Sequence, residues 1–154
     1  FSNEEEKKEA KEFQSHFPEN SQILGGLTLP QLQKLMHRVN GVISMDSATL
    51  HLCGTTATPS FSVFGPSSAH VYKPFGTDHF AVQGSCPYGR KFVKRCPILR
   101  SCPTGACIKE LSADTLFQTF ENFLSRCLID SFVSPNSCSS GNSSISSNVH
   151  QRNS

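Results

Sequence analysis

The 154-residue sequence contains no long hydrophobic run and comparatively little charge. No stretch approaches the roughly 18 apolar residues that a membrane-spanning helix needs, and residues 1–6 form neither the basic nor the apolar part of a secretion signal. With 36% hydrophobic and 17% charged residues, the chain is typical of a globular protein, not of a coiled coil or a wholly disordered chain. The net charge of +2 is too small to indicate nucleic acid binding. We therefore expect a soluble, cytoplasmic protein.

Acidic residues are missing from residues 86–107, where basic residues and cysteines are concentrated. The basic residues of this segment are Arg90, Lys91, Lys94, Arg95 and Arg100. Such a loop could face phosphates or the anionic head groups of a membrane, which would bring the protein to the membrane periphery. A solvated loop without a ligand is the simpler alternative.

Apolar residues follow strand and helix periodicities in alternation along the chain. Predicted strands lie at residues 22–24, 42–45, 61–64 and 79–82, and predicted helices occupy residues 4–17 and the segments after Thr28, Asp46 and Ser112. The connection of about fifteen residues between the second and third strands is long enough for a crossover, so these strands should pair in parallel. This order predicts an α/β fold in which helices flank a parallel sheet.

The last predicted helix carries an apolar stripe that we assign to the core: Leu116, Phe117, Phe120, Phe123, Leu124, Cys127 and Leu128. From residue 131 the composition changes to Ser and Asn, which bury too little apolar area to order the chain. We therefore divide the sequence into a domain at residues 1–130, which includes the cysteine-rich basic loop at 86–107, and a disordered tail at 131–154.

The predicted helix start after Asp46 has the features of an anion-binding site. The free N–H groups of Ser47, Ala48 and Thr49 would point at the carboxyl edge of the sheet, where ligands of α/β sheets bind. Small side chains at 47 and 48 let a phosphate approach the backbone closely, and the hydroxyls of Ser47 and Thr49 can add hydrogen bonds. His51 lies four residues after Ser47 on the same helix face, so its imidazole can reach the same anion.

A second turn, Gly65-Pro66-Ser67-Ser68, follows the neighbouring strand and supplies further amides and hydroxyls. Two adjacent loops with hydrogen-bond donors suit a pyrophosphate. The alternatives are simpler, because an Asp before a helix is commonly only an N-cap, and a His in an amphipathic helix is more often a partly buried structural residue.

Together these motifs resemble the lipopolysaccharide heptosyltransferases. The chain contains D-S-A-T-L-H-L-C-G from Asp46, S-F-S-V-F-G-P-S-S from Ser60, and then Lys73-Pro74-Phe75-Gly76. The family pattern is Asp, Thr or Ser, Gly or Ala, two residues and His, followed by an apolar strand that ends Phe-Gly-Pro-Thr. The similarity runs from about residue 4 to about residue 128, and many members also have a cysteine-bearing loop.

The resemblance implies a GT-B glycosyltransferase with two facing Rossmann-like domains, of which this chain would be the C-terminal, donor-binding one. The donor would be a nucleotide-diphosphate sugar such as ADP-heptose, and the other domain would bind a lipopolysaccharide-core-type glycolipid acceptor at the inner membrane. Asp46 would lie beside the donor sugar, and the amides of Ser47 and Ala48 would hold the diphosphate. His51 would lie beside the diphosphate, and no metal or other cofactor is expected.

Two departures from the family limit what is expected of the chain alone. No residue matches the catalytic base, which the family's N-terminal domain supplies, so the catalytic residue is unassigned. Two strands of the donor domain are expected upstream of Phe1, which would make the chain a fragment or the product of a split gene. We therefore expect the isolated chain to be inactive, and a degenerate remnant is a further alternative.

The cysteines suggest a different class of function. Cys86, Cys96, Cys102 and Cys107 are numerous enough for a zinc site, but neither pair has the C-x-x-C spacing of a zinc knuckle. Free thiols in a reducing compartment are the simpler interpretation, because seven cysteines without a signal peptide do not indicate a disulfide framework. A zinc-binding or protein-interaction module is therefore the alternative function.

Overall fold

The computed structural model describes residues 3–133, which form an α/β structure. Its elements in chain order are α1 (Glu4–Ser15), α2 (Leu29–Met36), β1 (Val42–Met45), α3 (Ala48–Cys53), β2 (Ser60–Phe64), α4 (Ala69–Tyr72), β3 (His79–Gln83), α5 (Ala106–Lys109) and α6 (Ala113–Val133). The fold class predicted from the sequence is confirmed, and three of the four predicted strands lie within one residue of their expected positions.

The three strands form one parallel sheet in the order β1-β2-β3. Met45, Val63 and Val82 lie side by side near the carboxyl ends of the strands. The helix α3 lies in the crossover between β1 and β2, as the length of that connection predicted. Residues that follow the three strands therefore meet at one edge of the sheet.

The core lies on both faces of the central strand, β2. The ring of Phe61 faces α6 and contacts Phe120 and Phe123 at centroid distances of 5.4 and 5.9 Å. Phe64, three residues further on, points to the opposite face and is fully buried, as is Leu50 of α3. Aromatic and aliphatic side chains thus fix β2 between two helical layers.

The helix α6 packs on the sheet with only part of its predicted apolar stripe. Phe123 is 3% exposed and contacts Phe80 of β3 at a centroid distance of 5.5 Å. Phe117 is 60% exposed, so its assignment to the core was wrong. Its side chain lies to the side of the helix face that packs on the sheet. The side chain of Leu128 lies outside the described residues.

The helix α6 is described as far as Val133, past residue 131, where the tail was predicted to begin. The rest of that predicted tail, residues 134–154, lies outside the described residues. Across residues 3–133, no helix combines the length and the apolar character needed to cross a bilayer.

The prediction of a strand at residues 22–24 was wrong. This segment forms no ladder of hydrogen bonds with the described sheet, whose edge on that side is β1. The helices α4 and α5 were not predicted, since one helical turn is too short to show a hydrophobic period.

The start of α5 packs closely against the turns that end β2 and β3. A Cβ atom at Gly65 would lie 2.3 Å from Cγ1 of Ile108, and one at Gly84 would lie 1.7 Å from the carbonyl oxygen of Cys107. Both positions therefore require glycine, because a Cβ atom would overlap atoms of Cys107 or Ile108. This contact closes the cysteine-rich loop back onto the carboxyl edge of the sheet.

We predict that Gly65→Ala destabilises the fold by about 1–3 kcal/mol, because the added methyl group overpacks against Ile108. The same substitution should cost less in an Ile108→Ala background, which removes the two nearest atoms that the methyl group would meet. Gly84→Ala should not be relieved by Ile108→Ala, since its methyl group would meet backbone. Free energies of unfolding from urea titrations measure these effects, and a Gly65→Ala variant as stable as the native protein would contradict the contact.

His79 is a buried histidine at the start of β3. It is 8% exposed, and its Nδ1 lies 2.9 Å from the hydroxyl oxygen of Ser60. Burial lowers the pKa of His79 below its ordinary value of 6.5, and the charge of Lys73 lowers it further, while Asp78 offsets part of the shift. The folded protein therefore favours the neutral imidazole.

The stability of the protein should fall as the pH drops below about 6.5. In that range the unfolded chain takes up a proton on His79 before the folded protein does, so acidification favours unfolding. The midpoint of thermal unfolding should therefore decrease between about pH 7 and about pH 5.5, and the decrease should be smaller in His79→Asn. The exposed His70 gives the control, because His70→Asn should keep the native dependence. An unchanged dependence in His79→Asn would show that other groups cause it.

Candidate functional site

Three of the predicted donor-site residues meet at the carboxyl edge of the sheet. Asp46 follows β1, and its Oδ2 accepts a hydrogen bond from the hydroxyl of Ser67, which follows β2. Nε2 of His51, on α3, lies 3.5 Å from the other carboxylate oxygen, Oδ1. The Asp46 side chain is 19% exposed and the His51 side chain 50%, so the carboxylate is held within the edge while the imidazole faces outward.

Asp46 is not the N-cap of α3, which was the simpler interpretation of its position. The N-cap is Ser47, which has an extended backbone, and the helix begins at Ala48. The hydroxyl of Ser47 makes no capping hydrogen bond and lies 3.1 Å from the hydroxyl of Ser44. The carboxylate of Asp46 is therefore directed toward side chains and not toward the first amides of the helix.

The first turn of α3 places backbone amides beside this carboxylate. The first helical hydrogen bond of α3 is donated by the N–H of His51 to the carbonyl of Ser47 at 3.3 Å. The N–H groups of Ala48 and Thr49 come before that of His51 in the chain. They therefore have no partner within the helix and lie at its N-terminal end, as predicted. Because α3 has only six residues, few peptide dipoles are aligned, and any attraction for an anion comes from these amides and from nearby charges.

The turn after β2 is joined to the cysteine-rich loop. Residues 66–68 and 94–96 form a short antiparallel contact with Ser67 and Arg95 as its central pair. Two backbone hydrogen bonds of 2.6 and 2.8 Å flank that pair. The basic loop is thus attached through its backbone to the turn that carries Ser67.

Arg95 and Asp46 line the same cavity. This cavity has a volume of about 330 Å³, and its lining residues are Met45, Asp46, Val63, Gly65, Pro66, Ser67, Arg95, Leu99 and Ile108. The guanidinium of Arg95 lies 4.8 Å from the centre of the Tyr72 ring, a cation–π contact that restricts its direction. Arg95 is one of five basic residues in the loop, and nothing in the sequence distinguishes it from the others.

Gln83, at the end of β3, was not predicted as a site residue. Its side-chain nitrogen donates to the carbonyls of Gly65 and Gly84 at 2.9 and 3.2 Å, and its side-chain oxygen accepts from the N–H of Ala69 at 2.8 Å. Gln83 therefore ties the turn after β2 to the start of α4. Only the strand register, which places it opposite Phe64, would have identified it.

A second hollow, of about 530 Å³, also borders Gln83. Its lining residues are Ser68, Gln83, Gly84, Ser85, Cys86, Gly89, Arg90, Lys91 and Phe92. Arg90 and Lys91 thus line a different hollow from the one that Arg95 lines.

The cysteines of the loop line a third cavity, of about 190 Å³. They are Cys86, Cys96, Cys102 and Cys107, all of them free thiols. Burial raises the pKa of the Cys107 thiol, and the three other thiols raise it further. The backbone N–H groups of Gly105 and Thr104 lower the pKa of Cys102. The four cysteines that the sequence placed in one loop are therefore neighbours in space.

A comparison with models of protein families matches residues 1–100 to glycosyltransferase family 9 (heptosyltransferase). The matched region contains all three strands together with Asp46, His51, Ser67 and Arg95. No curated protein and no solved structure matches the chain. The resemblance identified from the motif at Asp46 is confirmed, and since the match spans more than half of the sequence, the chain belongs to glycosyltransferase family 9, the heptosyltransferase family.

Proposed function

We propose that this chain binds a nucleotide-diphosphate sugar, ADP-heptose, as the donor part of a glycosyltransferase whose acceptor is a lipopolysaccharide-core-type glycolipid. Family membership supports glycosyl transfer. The observation that carries the donor assignment is the cavity at the carboxyl edge of the sheet, which Asp46 and Arg95 line together. A cation and a carboxylate in one cavity suit a ligand that carries both a diphosphate and a sugar with several hydroxyl groups.

The diphosphate would lie between Arg95 and the open end of α3. The guanidinium can donate two parallel hydrogen bonds to phosphate oxygens, and the amides of Ala48 and Thr49 can donate from the other side. Ser47 and Ala48 are exposed and small, and the Gly65-Pro66 turn lines the same cavity, so phosphate oxygens can approach the backbone closely. Transfer breaks the bond between the anomeric carbon and the phosphate oxygen, and these donors would stabilise the negative charge that develops on the departing nucleotide diphosphate.

Asp46 would hold the donor sugar by accepting hydrogen bonds from its hydroxyl groups. Ser67 and His51 each engage one of its carboxylate oxygens, so its orientation is fixed before the donor arrives. A carboxylate that accepts a hydrogen bond from Ser67 at one oxygen and lies beside His51 at the other is better suited to positioning a sugar than to removing a proton. We therefore assign Asp46 to positioning and assign no catalytic base among the described residues.

Two further cations of the basic loop, Arg90 and Lys91, would act on the acceptor side. Arg90 and Lys91 are exposed and line the hollow of about 530 Å³ instead of the Asp46 cavity. We propose that they face the anionic groups of the glycolipid acceptor at the surface of the membrane that holds it. This division of the loop gives Arg95, which lines the Asp46 cavity, to the donor, and Arg90 and Lys91, which line the other hollow, to the acceptor.

Arg95→Ala should weaken ADP binding by about ten- to a hundredfold, because it removes a charge-assisted contact of about 1.5–3 kcal/mol. Calorimetric titration with ADP at constant ionic strength measures the change. The matched control is Lys94→Ala, which removes the neighbouring positive charge from a residue that does not line the cavity. Equal losses in both variants would mean that the loop attracts the nucleotide only through its total charge. A folded native chain that binds no ADP would contradict the donor site itself.

Asp46→Asn should weaken ADP-heptose binding while leaving ADP binding within about twofold of native, because the carboxylate is assigned to the sugar and not to the diphosphate. Parallel titrations with the two ligands separate these contributions. Asp78→Asn is the control, since Asp78 is an exposed aspartate next to the opposite end of the sheet. If Asp46→Asn weakens the binding of both ligands equally, the carboxylate maintains the shape of the site and does not contact the sugar.

A further inference from the structure

Apart from the packing of α5, the cysteine-rich loop has little regular backbone contact with the sheet. Between β3 and α5 the chain contains no helix or strand, and its regular contact with the sheet region is the bridge between Ser67 and Arg95. Five basic side chains without an acidic one repel one another along residues 86–107. A loop of this length in a compact domain usually has either a function or a further interaction that holds it in place.

The cavity of about 190 Å³ lies inside this loop and is lined by sulfur and apolar atoms. Besides the four cysteines, its lining residues are Pro66, Pro87, Tyr88, Phe92, Ile98, Leu99, Gly105, Ala106 and Ile108. None of these residues is a histidine or carries a carboxylate. Sulfur donors in apolar surroundings prefer zinc and other soft ions to magnesium or calcium.

We infer that Cys86, Cys96, Cys102 and Cys107 together bind a structural zinc ion. Structural zinc sites are commonly closed tetrahedra, and four cysteines without a water ligand are one of the usual sets. Four thiolates and Zn²⁺ carry a net charge of about −2, which the cations of the same loop offset. The protons of the thiols pass to the solvent when the ion binds.

Zinc binding would draw the four sulfurs into the cavity that they now surround. In the part of the chain that the structure describes, no three His, Cys, Asp or Glu side chains are yet grouped closely enough to hold an ion. Three of the cysteines lie in irregular backbone and Cys107 lies in the short helix α5, so side-chain rotation and contraction of the loop can bring them together. The metal-bound form should therefore have a smaller cavity and a more rigid loop.

The zinc site would also restrain the donor cavity. A Cβ atom at Gly65 would lie 3.2 Å from Sγ of Cys107, and the N–H of Cys96 donates to the carbonyl of Pro66 at 2.6 Å. Arg95 precedes Cys96, so an ion bound by Cys96 would limit the movement of that guanidinium. This consequence rests on the proposed function, whereas the zinc site does not.

The test is the metal content of the full chain purified without chelator, measured by mass spectrometry of the elements. We expect about one zinc ion per chain in the native protein and a clear loss of zinc in Cys102→Ser. Cys127→Ser is the control, because Cys127 lies on α6 and does not line the cavity. A zinc content in Cys102→Ser equal to that of the native protein would overturn the assignment.

Cobalt titration of chelator-treated native protein gives a second measurement that does not depend on the folding of a variant. Co²⁺ held by four thiolates produces a sulfur-to-metal charge-transfer band and strong visible bands of tetrahedral coordination, and added zinc should remove them. A native protein that binds neither ion and keeps all four thiols reactive would overturn the proposal. ADP titration of the same samples distinguishes the two proposals. Zinc binding without ADP binding would contradict only the proposed function. ADP binding without zinc binding would contradict only the zinc site.

Discussion

The close packing of α5 against two glycines determines the shape of the carboxyl edge of the sheet. At Gly65 and Gly84 the neighbouring atoms of Ile108 and Cys107 occupy the space that a side chain would need. Any side chain there would push the end of the cysteine-rich loop away from the sheet. The middle of the loop pairs with the turn that carries Ser67, so Arg95 would be displaced as well. The cavity shared by Asp46 and Arg95 thus depends on packing between residues that are not assigned to the ligand.

The positions of Asp46, His51 and Ser67 could be predicted because they follow from elementary geometry. Two apolar runs that stop at Asp46 and Gly65, with a helix-length connection between them, leave a parallel pair as the expected arrangement. The carboxyl ends of parallel strands meet at one edge, so residues that follow each strand must converge. The spacing between Ser47 and His51 then places the imidazole on the helix face nearest that edge.

The features that could not be predicted depend on distances that the sequence does not contain. Arg95 resembles the other basic residues of its loop until the pairing of residues 94–96 with 66–68 is known. Gln83 acquires its role only through the register of β3 with β2. Phe117 is exposed because α6 lies on a sheet that has only three strands in the described part of the chain. An apolar stripe in the sequence shows which residues of a helix can be buried, but it does not show how much of the stripe the sheet covers.

The arrangement around Ser67 gives the two oppositely charged groups of the cavity separate partners. Ser67 is 5% exposed, its hydroxyl donates to Asp46, and its backbone pairs with Arg95. The carboxylate of Asp46 lies beside the imidazole of His51, and the guanidinium of Arg95 instead lies over the ring of Tyr72. A direct ion pair between Asp46 and Arg95 would have to be broken before a diphosphate could bind, and that cost would reduce affinity. Because separate partners hold the two groups, an anionic donor that binds as proposed would not have to break an ion pair between Asp46 and Arg95.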